Sequence, residues 1–289
     1  MLPQAKRQNL KRMVAAGRVT VNGEPARSLK DPVAEADIVE VLDRPAPRQR
    51  SIEPLRIVHE DPDLIVIEKP AGLLTSTVPR EKRPTAIAIL RRYLLDREPN
   101  ARAGIVHRLD RDASGLLVFS KNNPTYEALK SQLFKREVTR VYTALVHGTP
   151  SPREGEIDQR LVELPDGTVR VTRRPDAGER AVTEYTVLRT ANGMSLLRVK
   201  LLTGRKHQIR VHLYHRGHPI VGDPVYGRPD AASRAKPAPA PAPAAGKRVK
   251  SLRLMLAATL LEMRHPRTGE ALSFEIPPPK EMTRLLDEG

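Results

Sequence analysis

The sequence predicts an α+β protein: a large domain on a mixed, mostly antiparallel sheet, preceded by a small N-terminal α/β module. Three observations point there. Strand-like runs such as "LRIVHE", "RVYTALVHG", "AVTEYTVL" and "SLLRVKL" follow one another with few helical patterns between them. The stretch "DRPAPRQRSIEP" is dense in proline and charge, and it reads as a linker over 44–54 between a module at 1–43 and a domain at 55–289. With 289 residues and 39% hydrophobic content, the chain can bury one large core beside a small one.

The elements follow in order. Leu10, Met13 and Val14 recur at helical spacing until Gly17, then Val19 and Val21 alternate into the turn Asn22-Gly23, and "DIVEVL" at 37–42 supplies a strand to pair back. In "LRIVHEDPDLIVIEKP" two β-branched runs flank Asp61-Pro62-Asp63, a hairpin signal. "PTAIAILRRYLLD" sets Ile87, Leu90, Leu94 and Leu95 on one helical face, with Thr85 as cap. In "NPTYEALKSQLFKR", Asn123 is the expected N-cap, Pro124 the first helical residue, and Lys135 with Arg136 the cationic last turn. "RPDAASRAKPAPAPAPAAGKRV" carries an Ala/Pro-rich insertion at 229–248, which reads as an extended surface arm. "LMLAATLLEM", a turn at "RHPRTGE" and "ALSFEI" complete the domain.

Composition narrows the function. Fifty Lys and Arg against 34 Asp and Glu give a net charge of +16, the footprint of a polyanion binder, most often nucleic acid. With no Cys, disulfides, thiolate metal sites and cysteine nucleophiles are excluded. No apolar run approaches the ~20 residues of a membrane span, and "MLPQAKRQNLKRM" lacks the apolar core of a signal peptide. The expectation is a cytoplasmic monomer that does not engage a membrane.

Three polar clusters interrupt apolar sequence: "EKPAGLL" at 68–74, "HRLDRD" at 107–112, and "LLTGRKHQIRVHLYHRGHPIVGDPVYG" at 201–227. His207, His212, His215 and His218 invite a metal reading, but their spacing of five, three and three suits no zinc motif. Asp223 is the only nearby acid and Arg205, Lys206, Arg210 and Arg216 would repel a cation, so no metal is expected. Asp110 and Asp112 stand among arginines, and a carboxylate in that company stays ionised, which suits a nucleophile or base. Walker, GxGxxG and Gly-x-Ser-x-Gly signatures are all missing. The residues alone reach a basic nucleic-acid binder with a candidate Asp in a cleft, and they leave both acids open.

"GIVHRLDRDASGLLVFSKN" closely resembles the signature of the RluA-type family of RNA pseudouridine synthases. "IVIEKPAGLL", "TRVYTALVHG" and the long 201–227 stretch resemble that family's other motifs, in its order, across about 55–276. The resemblance implies the pseudouridine synthase fold and isomerisation of uridine in ribosomal or transfer RNA, with no cofactor or metal. It implies that Asp110 is the essential aspartate, Tyr142 packs on the flipped base, Arg205 pairs with the aspartate, and Arg108 fills the place the base has left. His107, Arg111, Lys69, Lys206, His207, Gln208 and Arg210 fall in the same motifs as candidate substrate-binding residues, and Asp112 becomes a structural partner for nearby arginines. The leading segment is similar to a truncated RNA-binding module of ribosomal protein S-four type, with Lys6, Arg7, Lys11, Arg12 and Arg18 as its RNA-facing cations. Departures are Ala113 and Lys206 where Thr is usual, Arg140 for Lys, and Ala257 or Ala258 where a His is usual. The rival readings are a catalytically silent RNA binder and a carboxylate-dependent nucleoside hydrolase.

Overall fold

The structure is a computed structural model that describes residues 7–16, 18–21, 24–26, 28–30, 32–34, 37–42, 51–76, 83–95, 97–98, 100–227 and 252–288. The expected insertion at 229–248, the turn Asn22-Gly23, Lys6 and most of the expected linker lie outside these residues. The chain divides into two compact units, Met1–Arg50 and Ser51–Gly289.

In the first unit, α1 (Arg7–Ala15) leads into β1 (Val19–Val21), β2 (Glu24–Pro25) and β3 (Val39–Val41). The strands form an antiparallel sheet in the order β2-β1-β3, as the alternation at 19–21 and 37–42 predicts. Lys11 and Arg12 are exposed on α1. Arg18 is not: it is half-buried, and its Nε donates to the Leu42 carbonyl at 2.8 Å, tying the start of β1 to the end of β3.

In the second unit the order is β4 (Ser51–Ile52), β5 (Leu55–Glu60), β6 (Leu64–Lys69), α2 (Ala86–Leu95), β7 (Gly104–Ile105), β8 (Ser114–Ser120), α3 (Asn123–Phe134), β9 (Thr139–His147), β10 (Glu154–Glu163), β11 (Val169–Thr172), β12 (Glu179–Ala191), β13 (Met194–Leu201), α4 (Gln208–His215), β14 (Leu256–Arg264), β15 (Ala271–Glu275) and α5 (Lys280–Asp287). The strands join one sheet in the order β11-β10-β12-β13-β9-β14-β8-β6-β5-β4, with β15 on β14 and β7 on β8. Among the described residues only the β8–β14 ladder is parallel. The linker expectation is corrected at its end, because Ser51 and Ile52 pair with Arg56 and Leu55 as a hairpin.

Both faces of the sheet's centre are covered. Ile65, Ile67, Leu117 and Phe119 enter one core cluster with Leu90 and Leu94 of α2, while Leu64, Val66, Leu116 and Val118 enter a second with Leu129 of α3. Burial on both faces is why β6 and β8 read as continuous apolar runs rather than alternating ones. Thr85 Oγ1 accepts from the Ala88 N–H at 3.3 Å, the expected cap. Leu95, expected on the buried face of α2, is instead 65% exposed. The helix rolls toward Tyr93, whose hydroxyl donates to Glu60 Oε2 at 2.8 Å.

The cap of α3 is Asn122, one residue before the expected Asn123. Asn122 Oδ1 accepts from the Thr125 N–H at 2.9 Å while its Nδ2 donates to Asp63 Oδ1 at 3.1 Å, so the tertiary partner selects between adjacent asparagines. Pro124 is therefore the second helical residue. Lys135 caps the C-terminus and Arg136 lies beyond it, so neither sits in the last turn.

Asp61 and Asp63 form a hydrogen-bonded knot with His265. His265 Nδ1 accepts the Arg267 and Thr268 N–H groups at 3.2 and 3.1 Å, which leaves its Nε2–H facing Asp61 Oδ2 at 3.3 Å. Arg267 Nε fills Asp63 Oδ2 at 2.6 Å. The acids are occupied by donors, and the imidazole has no lone pair left for a cation.

The seam that builds the site is β8–β14–β9. Ser114 and Gly115 pair with Ala257 and Ala258, and Ala258 in turn lies opposite Tyr142. Gly115 has φ 111°, and a Cβ there would collide with the Ala258 backbone. Glycine lets β14 close on β8, which brings the loop before β8 alongside Tyr142.

Candidate active site

The loop of residues 106–113 is held from inside. Val106, Leu109 and Ala113 are buried, while Arg108 is exposed. Asp110 is pinned on both sides through its neighbours' backbone. Thr75 Oγ1 donates to the Leu109 carbonyl at 2.9 Å and receives the Leu109 N–H at 3.2 Å. The Arg111 carbonyl accepts the Gly72 N–H at 2.9 Å and Lys69 Nζ at 3.0 Å. The segment that follows β6 is thus the cradle of the Asp110 loop.

Lys69, expected at the substrate, spends its ammonium on the backbone. It is 0% exposed, and its other two donors go to the Pro70 and Leu73 carbonyls at 2.9 and 2.7 Å. Burial pushes its pKa down to about 8 against the opposing pull of Asp110 and Asp112. The ammonium clamps the Pro70, Leu73 and Arg111 carbonyls together.

Arg210 projects from α4 into the same place. Its Nε and Nη2 donate to Asp223 Oδ2 and Oδ1, both at 2.8 Å, and its Nη1 donates to Asp110 Oδ2 at 3.1 Å. Burial acts against the guanidinium charge, and the hydrogen bonds and charge of Asp223, joined by Asp110, override it and raise the Arg210 pKa. Asp223 is held in turn by the Val225 and Tyr226 N–H groups, each 2.9 Å from Oδ1. Its pKa is lowered although burial alone would raise it, because Arg210 dominates.

The partner of Asp110 is therefore Arg210, and the pairing expected of Arg205 is corrected. Arg205 lies before α4, and its Nη1 reaches Glu179 Oε1 at 2.7 Å. Gln208, also expected at the substrate, is 2% exposed with both ends of its amide used. Its Oε1 accepts from Thr203 Oγ1 and the Arg205 N–H, and its Nε2 donates to the Val182 carbonyl and Thr183 Oγ1. Lys206 is exposed and pairs with Glu163 at 2.5 Å. His207 has φ 54°, and its Nδ1 lies 2.9 Å from the Tyr226 hydroxyl. That hydroxyl accepts the Val169 N–H at 2.9 Å, so its own proton points to Nδ1 and a neutral His207 carries its proton on Nε2.

Tyr142 is 5% exposed, and its phenol pKa is raised by burial, opposed by Arg140 and reinforced by the Asp110 charge. Asp112 is taken up by Arg111, whose Nε and Nη2 donate to its two oxygens at 2.9 and 3.1 Å. His107 has its ring turned into the protein. Its Nε2 accepts the Val118 N–H at 3.4 Å, and burial, with the Arg140 and Lys130 charges, pushes its pKa down to about 3.

Three carboxylates therefore stand close together in different states. Asp223 is fully buried and bidentate with Arg210, and Asp112 is bidentate with Arg111. Asp110, with 23% side-chain exposure, gives one oxygen to Arg210, and among the described residues Oδ1 has no partner. One carboxylate oxygen is open to a ligand beside a fixed cation. Asp223, Tyr226 and Thr75 were not singled out by the sequence as parts of this site. The signal for the first two was "GDPVYG", in which an acid and a phenol close an apolar run. Thr75 carried no local signal. Of the four neighbouring histidines, three have separate partners, His207 with Tyr226, His212 with Thr183 Oγ1 at 2.9 Å and His218 with the His147 carbonyl at 3.1 Å, so these three do not converge.

A mixed sheet that presents one open carboxylate among arginines defines an RNA-modifying enzyme once its relatives are set beside it. The fold is shared with the solved human RNA Pseudouridylate Synthase Domain Containing 4, at a TM-score of 0.62 and 24% identity over 80% of this chain and 91% of that one. Residues 63–215 match the family described as RNA pseudouridylate synthase. The chain is 36% identical over 292 residues to the ribosomal large subunit pseudouridine synthase D of Neisseria meningitidis, covering 99% of this chain and 75% of that protein. It is 37% identical to the Pseudomonas aeruginosa protein of the same name, covering 99% and 88%. The chain belongs to the RNA pseudouridylate synthase family and is an RNA pseudouridine synthase. No helix among the described residues is long and apolar enough to cross a membrane.

Proposed function

We propose that this protein converts uridines of large-subunit ribosomal RNA to pseudouridine, with Asp110 as the reacting group and no cofactor. The observation that carries the role of Asp110 is its open Oδ1 on a loop anchored at Leu109 and Arg111, with Arg210 holding the other oxygen. The names of the two bacterial relatives supply the ribosomal substrate. In the reaction the C1′–N1 bond of uridine breaks, the uracil turns, C1′–C5 forms, C5 gives up its proton and N1 gains one. The Asp110 carboxylate acts at the ribose or the base, Tyr142 packs against the flipped ring from the neighbouring strand, and exposed Arg108 fills the vacated stack. The basic surface serves the phosphates. The N-terminal unit, with Lys11 and Arg12 exposed, acts as an RNA-binding module of ribosomal protein S-four type.

The test is Asp110→Asn as the sole copy, with pseudouridine mapped in total RNA. Loss of specific pseudouridines with RNA binding retained is expected. Unchanged pseudouridine content would favour a silent RNA-binding protein, and release of free uracil by the parent would favour a hydrolase.

A further inference from the structure

Phe134 ends α3 with 89% of its surface exposed, in a chain with three Phe and no Trp. An exposed aromatic ring beside cations is the pairing on which single-stranded nucleic acid stacks. Lys130, one helical turn earlier on the same face, is exposed as well. Directly after the helix, Arg136 takes φ 61°, the left-handed conformation that glycine adopts with least strain at this position. A long cation is held there instead.

Arg136, Arg140 and Lys200 line one small cavity of about 120 Å³. Arg140 Nη2 donates to the Thr203 carbonyl at 3.3 Å, while its buried Nε has no acceptor. Lys200 has a 3.6 Å ion pair with Glu184, whereas Lys130, Lys135 and Arg136 form none among the described residues. Glu127 and Glu137 are the exposed acids of this stretch, and the cations outnumber them. Arg140 is two residues from Tyr142 on the same face of β9, so the patch adjoins the Asp110 cleft. The Arg140 charge is felt at Tyr142 and at His107.

We propose that Phe134, Arg136 and Arg140 form a second docking subsite for RNA, where a base flanking the reactive uridine stacks on Phe134 and its phosphate meets the guanidinium groups of Arg136 and Arg140 that line the cavity. Every base has a π-face, so an exposed ring reads a strand without selecting its sequence, and the guanidinium fork matches phosphate oxygens. The inference rests on the RNA substrate proposed above.

The experiment uses the full chain and transcribed, unmodified large-subunit ribosomal RNA, with filter binding and pseudouridine formation read side by side. Phe134→Ala is expected to weaken binding about tenfold and to raise KM more than it lowers kcat, and Phe134→Tyr to restore both. Arg136→Gly relieves the left-handed strain, so it folds, and it is expected to reduce the slope of log affinity against log salt by about one. Binding by Phe134→Ala within twofold of the parent, or a Phe134→Tyr variant as weak as Phe134→Ala, overturns the subsite. A parent that binds this RNA but makes no pseudouridine defeats the proposed reaction and not the subsite, which the binding comparison decides alone.

Discussion

Arg210 donates to Asp110 across 3.1 Å from 100 positions later in the chain, with its other two donor positions locked on Asp223. A guanidinium so fixed presents one N–H to the carboxylate in a single orientation. An ammonium at that point cannot hold two acids in this way. Arg210→Lys is therefore expected to lower single-turnover pseudouridine formation by about 100-fold, the scale of a misplaced reacting group. Arg205→Lys, which disturbs an exposed pair with Glu179 and a 3.5 Å bond to the Arg180 carbonyl, should stay within about threefold. Equal losses in the two variants would return the pairing role to Arg205.

Asp223→Asn places an amide NH₂ or a neutral oxygen where Arg210 needs two charged acceptors. Both side chains are buried, with exposures of 4% and 0%, and a buried ion that loses its partner costs about 3 kcal/mol. The denaturant midpoint should fall accordingly, and kcat with it as Arg210 loses its orientation. A loss of unfolding free energy below about 1 kcal/mol would mean that Asp110 alone satisfies the guanidinium.

Lys69→Met keeps the buried stem but removes the donor to three carbonyls. The expected loss of stability is about 2 kcal/mol or more. Because one of those carbonyls belongs to Arg111, beside Asp110, kcat should drop while RNA affinity holds. A rise in Kd with unchanged kcat would restore Lys69 as a substrate contact.

Acid should destabilise the protein in a defined window. His107 is pushed from 6.5 down to about 3, by burial first and then by the Arg140 and Lys130 charges. His212 is pushed from 6.5 to about 4 by burial and the His215 charge, against the pull of Asp158. Below the ordinary pH of 6.5 the unfolded chain binds more protons than the folded one, so stability rises with pH there. These groups contribute fully above pH 6.5, and the contribution is lost as pH falls toward 4 and then 3. Denaturant midpoints from pH 7.5 to 4.5 should decline, and His107→Gln should flatten the slope. An unchanged slope in that variant would show that the His107 ring is hydrated when folded.

Local pattern was a reliable guide where an element's own residues decide it. Val19 to Val21, the Asp61-Pro62-Asp63 hairpin and the helix capped by Thr85 form as their spacing predicts. The pattern misplaced what a distant partner decides. Asn122 takes the cap from Asn123 because Asp63 holds its amide, and Leu95 is left in water because Tyr93 finds Glu60.

The sequence by itself determined the α+β class, the excess of positive charge and the motifs that carry the family. Periodicity and composition are properties of neighbouring residues. Only the tertiary structure decided which of three acids stays open. Asp112 is closed by the adjacent Arg111, Asp223 is buried by Arg210, and Asp110 keeps Oδ1 free. The physical reason is that an arginine near an acid in sequence need not be its partner in space. The close approach of β14 to β8 at Gly115 and the course of α4 set Arg210, and not Arg205, against Asp110.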